Sequence, residues 1–302
     1  MAALVPPRQR LVVDAFTFYN EYEMLEFRLT ELDDVVDVFV ICEATLTHAG
    51  AAKPLLFEQS LARYERWLPK IVHVVDDDMP RTDDAWVREH HQREALACGL
   101  GALGLADDDW VAITDCDEIA DAGALAALQR RPPALCALVM RTFYYSFDWV
   151  WRDPWDVYPK VAPWSAVRGA GPQAIRMTFT LDKIDRGGWH LSYFGNEAFV
   201  KNKLEQFAHQ EFNTERDLDA VGARMRGGKN LTDDQFDRVP ADEPFMPQHR
   251  SLLEALLRRQ GADPRGSEAP VDARLAAMLR ATVRTSRVRK APRKKKIGWK
   301  RS

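Results

Sequence analysis

Residues 110–119 read Trp110-Val111-Ala112-Ile113-Thr114-Asp115-Cys116-Asp117-Glu118-Ile119, an apolar run that stops at two aspartates one residue apart. The run has the unbroken hydrophobicity of a strand buried on both faces. In extended backbone, positions i and i+2 point the same way, so Asp115 and Asp117 can present both carboxylates on one side of the strand's end. Strand C-terminal ends are where open α/β sheets bind ligands. Two convergent carboxylates with no basic neighbour in sequence suit a divalent cation. Such an ion takes one or two protein carboxylates and completes its shell with phosphate oxygens and water. An acidic turn or helix cap also explains these residues, and the local pattern does not choose between the two.

Upstream, apolar and β-branched runs alternate with helical patterns. Arg10–Phe16 reads as a first strand, Val35–Glu43 as a second and Lys70–Asp76 as a third. Between them, Asn20 is placed to cap a helix reaching about Leu32. Met24, Leu25, Arg28, Leu29 and Leu32 form its inward stripe, and Glu21 and Glu23 sit in its first turn. A loop and helix follow from Pro54 to Trp67, and another helix from about Asp84 to Gly99. This alternation predicts an α/β domain: a doubly wound, Rossmann-like, mostly parallel twisted sheet flanked by helices. The first four strands end at Asp14, Glu43, Asp76 and Asp115, whose carboxylates would share one crevice.

Downstream, a short helix over Ala122–Arg130 and a strand over Leu135–Thr142 are expected. Residues 143–195 then change character. Tyr144, Tyr145, Trp149, Trp151, Trp155, Tyr158 and Trp164 crowd this region, periodicity is weak, and strands are expected around Val167 and over Ala174–Phe179. Asn196 is placed to cap a helix to about Ala208, and amphipathic helices are expected over 252–258 and 271–285. The organisation reads as a main domain over 1–250, with a nucleotide-binding half at about 10–121 and an acceptor half at about 135–250. A helical segment over 251–283 and a flexible basic tail over 284–302 complete it.

Composition narrows the classes. The chain has 302 residues, 46% of them hydrophobic, enough for one elaborate α/β domain. No run approaches 18 uninterrupted apolar residues, and Met1–Arg10 lacks the apolar core of a secretory signal, so a cytoplasmic protein is expected. The four cysteines are widely spaced with no CxxC pair, which points to reduced, buried thiols. Ten Lys/Arg and no acid lie between Arg284 and Ser302, leaving a formal −13 on the rest of a chain whose total is −3. The basic tail suits peripheral contact with an anionic membrane, while the acidic body disfavours nucleic acid. No GxxxxGK or GxGxxG loop follows an expected strand, which argues against P-loop NTPases and NAD enzymes.

Five segments in order carry a family resemblance. They are Asp14-Ala15-Phe16-Thr17-Phe18-Tyr19-Asn20-Glu21 with Leu25–Leu32, Cys42-Glu43-Ala44-Thr45, Asp115-Cys116-Asp117-Glu118-Ile119, Gly188–Gly195 and Lys203–Asn213. Together they resemble glycosyltransferase family 17 over roughly Val12 to Asn213. The resemblance implies a GT-A type fold, a UDP-sugar donor, Mn²⁺ or Mg²⁺, and inverting transfer of a sugar, with N-acetylglucosamine from UDP foremost, onto a glycan or glycolipid hydroxyl. With it, Asp115 and Asp117 become metal ligands that stabilise the departing diphosphate, with His209 or His190 as a further ligand. Asp14, Glu43, Arg93 and Asp115 become nucleotide contacts. Glu197, at the start of its helix, becomes the base that takes the acceptor proton, with Glu211, Asp182 and Asp185 as rivals. Two other readings stand beside this one. The same aspartates would serve a metal-dependent phosphohydrolase or nucleotidyltransferase, and a degenerate site would leave a non-catalytic glycan- or nucleic-acid-binding protein.

Overall fold

A computed structural model describes residues 8–260 and 271–289. In chain order the first half runs β1 (Val12–Phe18), α1 (Tyr22–Leu32), β2 (Val38–Ala44), α2 (Leu56–Gln59), a 3₁₀ segment (Leu61–Lys70), β3 (Ile71–Asp76), α3 (Ala85–Gly101), β4 (Trp110–Asp115), β5 (Glu118–Ala120) and α4 (Ala122–Ala127). The second half runs β6 (Cys136–Tyr144), β7 (Trp149–Val150), β8 (Lys160–Pro163), α5 (Trp164–Ala170), α6 (Pro172–Met177), β9 (Lys183–Ser192), α7 (Glu197–Gln206), α8 (Glu215–Gly227), β10 (Asp237–Arg238), α9 (Arg250–Arg259), α10 (Ala273–Met278), β11 (Ala281–Arg284) and α11 (Thr285–Arg289).

The described strands form one sheet in the order β10-β7-β6-β8-β4-β1-β2-β3-β11, with β5 and β9 paired off this path. The expected α/β architecture is present, but the sheet is mixed rather than mostly parallel. The β4-β1-β2-β3-β11 half is parallel. Beyond β4 the pairings of β8, β6, β7 and β10 are antiparallel. The chain leaves β1 for β2 on one side and returns to β4 on the other. That reversal opens a crevice at the carboxyl ends of β1 and β4, where Thr17 pairs with Asp115.

Period-two alternation divides the core between the two faces of the sheet. Val12, Phe16 and Phe18 of β1 join Phe39 and Ile41 of β2 on one face, under Leu25 and Leu29 of α1 and Leu253 of α9. Val13 and Ala15 join Val40, Val74 and Ile113 on the other face, under Leu96 of α3, Val167 of α5 and Ile175 of α6. Gly99 lets α3 seat closely here, since a Cβ would lie 2.5 Å from Val74 Cγ2 and 2.8 Å from Val40 Cγ1. A third cluster, with Tyr145, Tyr193, Val200, Leu204 and Val221, joins α7 and α8 to the far end of the sheet.

Several expectations need correction. The stretches around Val167 and over 174–179 are helices α5 and α6, not strands. Pro172 at the helix start presets φ, and Val167 and Ile175 point from these helices onto α3's face of the sheet. The expected helix over 271–285 ends at Met278, after which Ala281–Arg284 adds to the sheet beside β3. Five strands among 118–238 were not expected. The longest, β9, mixes Lys183, Asp185 and Arg186 with Gly187-Gly188, so no alternation marks it. The cap of α1 is Glu21 rather than Asn20. The basic segment is ordered at its beginning: β11 pairs with β3, and Thr285 and Ser286 bond Asp77. Residues 290–302 of the expected tail, and residues 1–7, lie outside the described residues. No helix of the described residues is long and apolar enough to cross a membrane.

Candidate active site at the carboxyl ends of strands β1 and β4

The crevice is a cleft of about 420 Å³, in the range of small-molecule sites. Its floor is the turn after β4. A buried arginine shapes that turn. Arg28 of α1 donates to both oxygens of Asp14, at 2.6 and 2.7 Å. Its Nη1 reaches the carbonyls of Asp115, Cys116 and Glu118 at 2.7, 3.1 and 3.0 Å. The turn therefore hangs on a side chain that the helical pattern counted among apolar neighbours.

The turn aims Asp115 and Asp117 into the cleft as expected, and both meet cations. Arg93 of α3 donates to Asp115 Oδ1 at 3.0 Å, and Arg176 of α6 to Oδ2 at 2.5 Å. Arg176 also grips Glu118 at 2.7 and 3.0 Å. Burial alone would push the Asp115 carboxyl up, but Arg176 and Arg93 outweigh it and hold the group well below the usual carboxylate range. Lys203 of α7 donates to Asp117 Oδ2 at 2.7 Å. Burial would lower the Lys203 ammonium, and Asp117 and Glu21 reverse that and raise it. Arg93, Arg176 and Lys203 thus stand charged around the two aspartates. Arg93 also keeps a buried Nε without a partner among the described residues.

The aromatic rim comes from the second half of the chain. The Trp155 ring lies tilted against His190, with ring centroids 4.6 Å apart and 31° between the planes, and its Nε1 donates to Glu118 at 2.5 Å. His190 stands opposite Glu118 in the β5–β9 pairing. Gly188 makes that pairing possible. Its φ is +146°, and a Cβ there would lie 2.1 Å from the Ile119 carbonyl oxygen. Tyr144, Tyr158 and Tyr193 also line the cleft.

Not every residue singled out from sequence arrives. Asp14 is fully buried and committed to Arg28. Glu43 is fully buried, with Lys53 at 3.3 Å and the Phe57 amide at 3.0 Å on its Oε1. Neither lines the cleft, so neither is available to a nucleotide there. Glu197 lies on the outer side of α7, paired with Lys201 at 2.9 Å, and is also outside the cleft. It faces Gly222 of α8 because α7 turns Lys203, not Glu197, inward. His209 does line the cleft, but it is held by Glu211 at 2.6 Å and by the Trp86 ring at 4.5 Å.

Among the described residues, Asp117 Oδ1 accepts no hydrogen bond and lies 4.0 Å from His190 Nε2, so Asp117 fits a divalent ion. Both oxygens of Asp115 already carry a guanidinium, so Asp115 would have to release one. Among the described residues, only Asp76, Asp78 and His91 bring three metal-capable ligand atoms within 4.8 Å of one another, and they lie outside the cleft. Asp115, Asp117 and His209 do not form such a group.

Sequence reasoning missed Arg176 and Glu21 as site residues and did not single out Lys203 as one. Arg176 stands alone in a stretch that read as a strand, and no local signal marks it. Lys203 falls within the helix expected from Asn196 to Ala208, but its direction depends on how α7 packs.

Comparison with known proteins matches this sequence to one family. The sequence model of glycosyltransferase family 17 matches residues 4–233. The chain belongs to that family. Among curated family 17 relatives, β-1,4-mannosyl-glycoprotein 4-β-N-acetylglucosaminyltransferase of Rattus norvegicus is 33% identical over 86% of this chain and 60% of its own length. The Homo sapiens protein of the same name is 33% identical over 78% of this chain and 52% of its own length. The chain thus spans between half and 60% of the length of these relatives. The family match covers β1 through α8 and so includes the whole floor of the cleft, with Asp115, Asp117, Arg176 and Lys203.

Proposed function

We propose that the cleft transfers N-acetylglucosamine from UDP-N-acetylglucosamine to a glycan hydroxyl, with inversion at the anomeric carbon, on a GT-A type scaffold. The observation that carries this is the placing of Arg93, Arg176 and Lys203 around Asp115 and Asp117 at the switch point of the sheet. A nucleoside diphosphate leaves with growing negative charge, and fixed cations at that place stabilise it as the sugar–phosphate bond breaks. The buried, unpartnered Arg93 Nε is a donor ready for a phosphate oxygen. Family membership, and relatives named as N-acetylglucosaminyltransferases, support the sugar.

A divalent cation held through Asp117 would add Lewis-acid stabilisation of the same diphosphate. Asp115 serves mainly to hold Arg93 and Arg176 in place. The aromatic rim of Trp155, Tyr158 and Tyr144 supports binding of the sugar rings, whose apolar faces stack on flat side chains. No observation favours the phosphohydrolase or pure binding readings.

The test is thermal unfolding of the protein with a panel of nucleotide sugars, with Mn²⁺ or EDTA, followed by product analysis with mannose-containing glycans. UDP-N-acetylglucosamine should raise the melting temperature most, and Asp117→Asn should remove any Mn²⁺-dependent part of that rise. Absence of stabilisation by every UDP-sugar would overturn the proposal.

A further inference from the structure

We infer that Glu21 is the base that takes the proton from the acceptor hydroxyl, an inference that rests on the glycosyl-transfer reading of the cleft. Four carboxylates line the cleft: Glu21, Glu89, Asp115 and Asp117. Three are neutralised by fixed cations, Glu89 by Arg93 at 2.7 Å, Asp115 by Arg93 and Arg176, and Asp117 by Lys203. Glu21 makes no direct ion pair among the described residues, and the Lys203 ammonium, which bonds Asp117 instead, acts on it only through space. A carboxylate clamped by a guanidinium is a poor proton acceptor, because the cation favours its charged form.

Glu21 is also held in place without being used up. Its Oε2 accepts the backbone amides of Tyr19 at 2.9 Å and Asn20 at 3.1 Å, the tight turn between β1 and α1. Its Oε1 makes no hydrogen bond among the described residues. A fixed carboxylate with one free oxygen is the preorganised form that general-base catalysis requires.

Inversion demands that the acceptor attack from the face opposite the departing diphosphate. Arg93 and Arg176 enter the cleft from α3 and α6, on the sheet face that carries Val13 and Ala15. Glu21 caps α1, which packs on the opposite face with Phe16 and Phe18. The two guanidiniums and Glu21 thus reach the cleft from opposite faces of one sheet, while Lys203 enters from α7, whose Asn202 accepts from Asn20 beside Glu21. The cleft histidines do not approach from the Glu21 side. His48 is bonded to Gln92 of α3, His90 lies on α3, His190 lies against the indole that bonds Glu118 beside Arg176, and His209 is bonded to Glu211.

The acceptor O–H proton passes to Glu21 Oε1 while the acceptor oxygen bonds to the anomeric carbon of the donor. The bond from that carbon to the phosphate oxygen breaks, and its electron pair leaves on the nucleoside diphosphate.

Glu21→Gln is the decisive variant, because the amide oxygen can still accept from Tyr19 and Asn20 but cannot take a proton. Transfer by Glu21→Gln, Glu21→Asp and Glu197→Gln would be measured with UDP-N-acetylglucosamine and a mannose-containing acceptor, beside donor-induced thermal stabilisation of each. The expected result for Glu21→Gln is a kcat lowered about 10²- to 10⁴-fold with unchanged acceptor KM and unchanged donor-induced stabilisation. Glu21→Asp should recover part of the loss, and Glu197→Gln should match wild type. The inference is overturned if Glu21→Gln keeps kcat within about threefold of wild type, or if its loss comes with loss of donor stabilisation, which would make Glu21 a structural or donor-binding residue. A wild-type protein that no UDP-sugar stabilises would instead overturn the reading of the cleft.

Discussion

Arg28 and Asp14 face each other with no exposure to solvent, joined at 2.6 and 2.7 Å, and the same guanidinium carries three carbonyls of the turn that presents Asp115 and Asp117. The first strand and first helix are thereby tied to the floor of the cleft. The pair is intelligible only as a unit, since either ion alone in that interior would be uncompensated. The Arg28 position also explains why Asp14 does not line the cleft.

Removing Arg28 should therefore be costly. Arg28→Ala is expected to lower stability by about 3–5 kcal/mol, the usual penalty for stranding one partner of a buried pair. Urea unfolding at neutral pH measures it. A loss below about 1 kcal/mol would show that the turn is held by something else.

Arg176 joins Asp115 to Glu118, and its substitution should be felt in donor binding. Arg176→Ala is expected to lower kcat/KM for the nucleotide-sugar roughly 10- to 100-fold, in line with a charge-assisted hydrogen bond of about 1.5–3 kcal/mol. Steady-state kinetics with varied donor gives the value. Unchanged kinetics would remove Arg176 from the diphosphate site.

Lys160 gives a pH signature. It is buried under α6, its ammonium donating to the carbonyls of Val157 and Arg176. Burial first, and Arg176 second, lower its pKa from 10.5 to about 8. The unfolded chain therefore holds the proton to higher pH than the folded one, so this group's contribution to stability rises with pH between about 8 and 10.5. Compared with Lys160→Met, wild type should gain stability across that window. A difference between the two that stays flat with pH would refute the shift.

Gly188 pairs a positive φ with close approach to β5. Gly188→Ala should cost about 2–6 kcal/mol, combining backbone strain with overpacking against Ile119 and Ala120. Thermal unfolding would show it, and the β5–β9 pairing that sets His190 opposite Glu118 should weaken with it. A near-neutral effect would mean that the strand pair adapts.

Part of this protein was legible residue by residue. β1 to β4, and the helices between them, follow from apolar runs and helical stripes that are local signals. The cap Asn196 was readable for the same reason, and it accepts a backbone amide of its helix. Beyond Thr142 the reading weakened. Aromatic residues serve loops, strands and helices alike, and β9 carries charges and glycines where alternation was sought. Asp14 and Glu43 illustrate a different failure. Both end strands as nucleotide-binding acids do, yet a buried arginine and a buried lysine claim them. Glu197 sits at a helix start as expected, but the roll of α7 turns it outward.

The amino-acid sequence by itself determined the alternation of strands and helices, the placing of Asp115 and Asp117 at a strand end, and membership of a glycosyltransferase family. Those properties depend on spacing and residue order along the chain. Only the tertiary structure decided which charges meet in the cleft. Arg28, Arg93, Arg176 and Lys203 come from four different helices, and their partners Asp14, Asp115, Glu118 and Asp117 lie between 14 and 86 residues away. Pairing at such separations depends on how helices pack on the two faces of the sheet. That same packing leaves Glu21 as the one cleft carboxylate without a direct ion pair among the described residues.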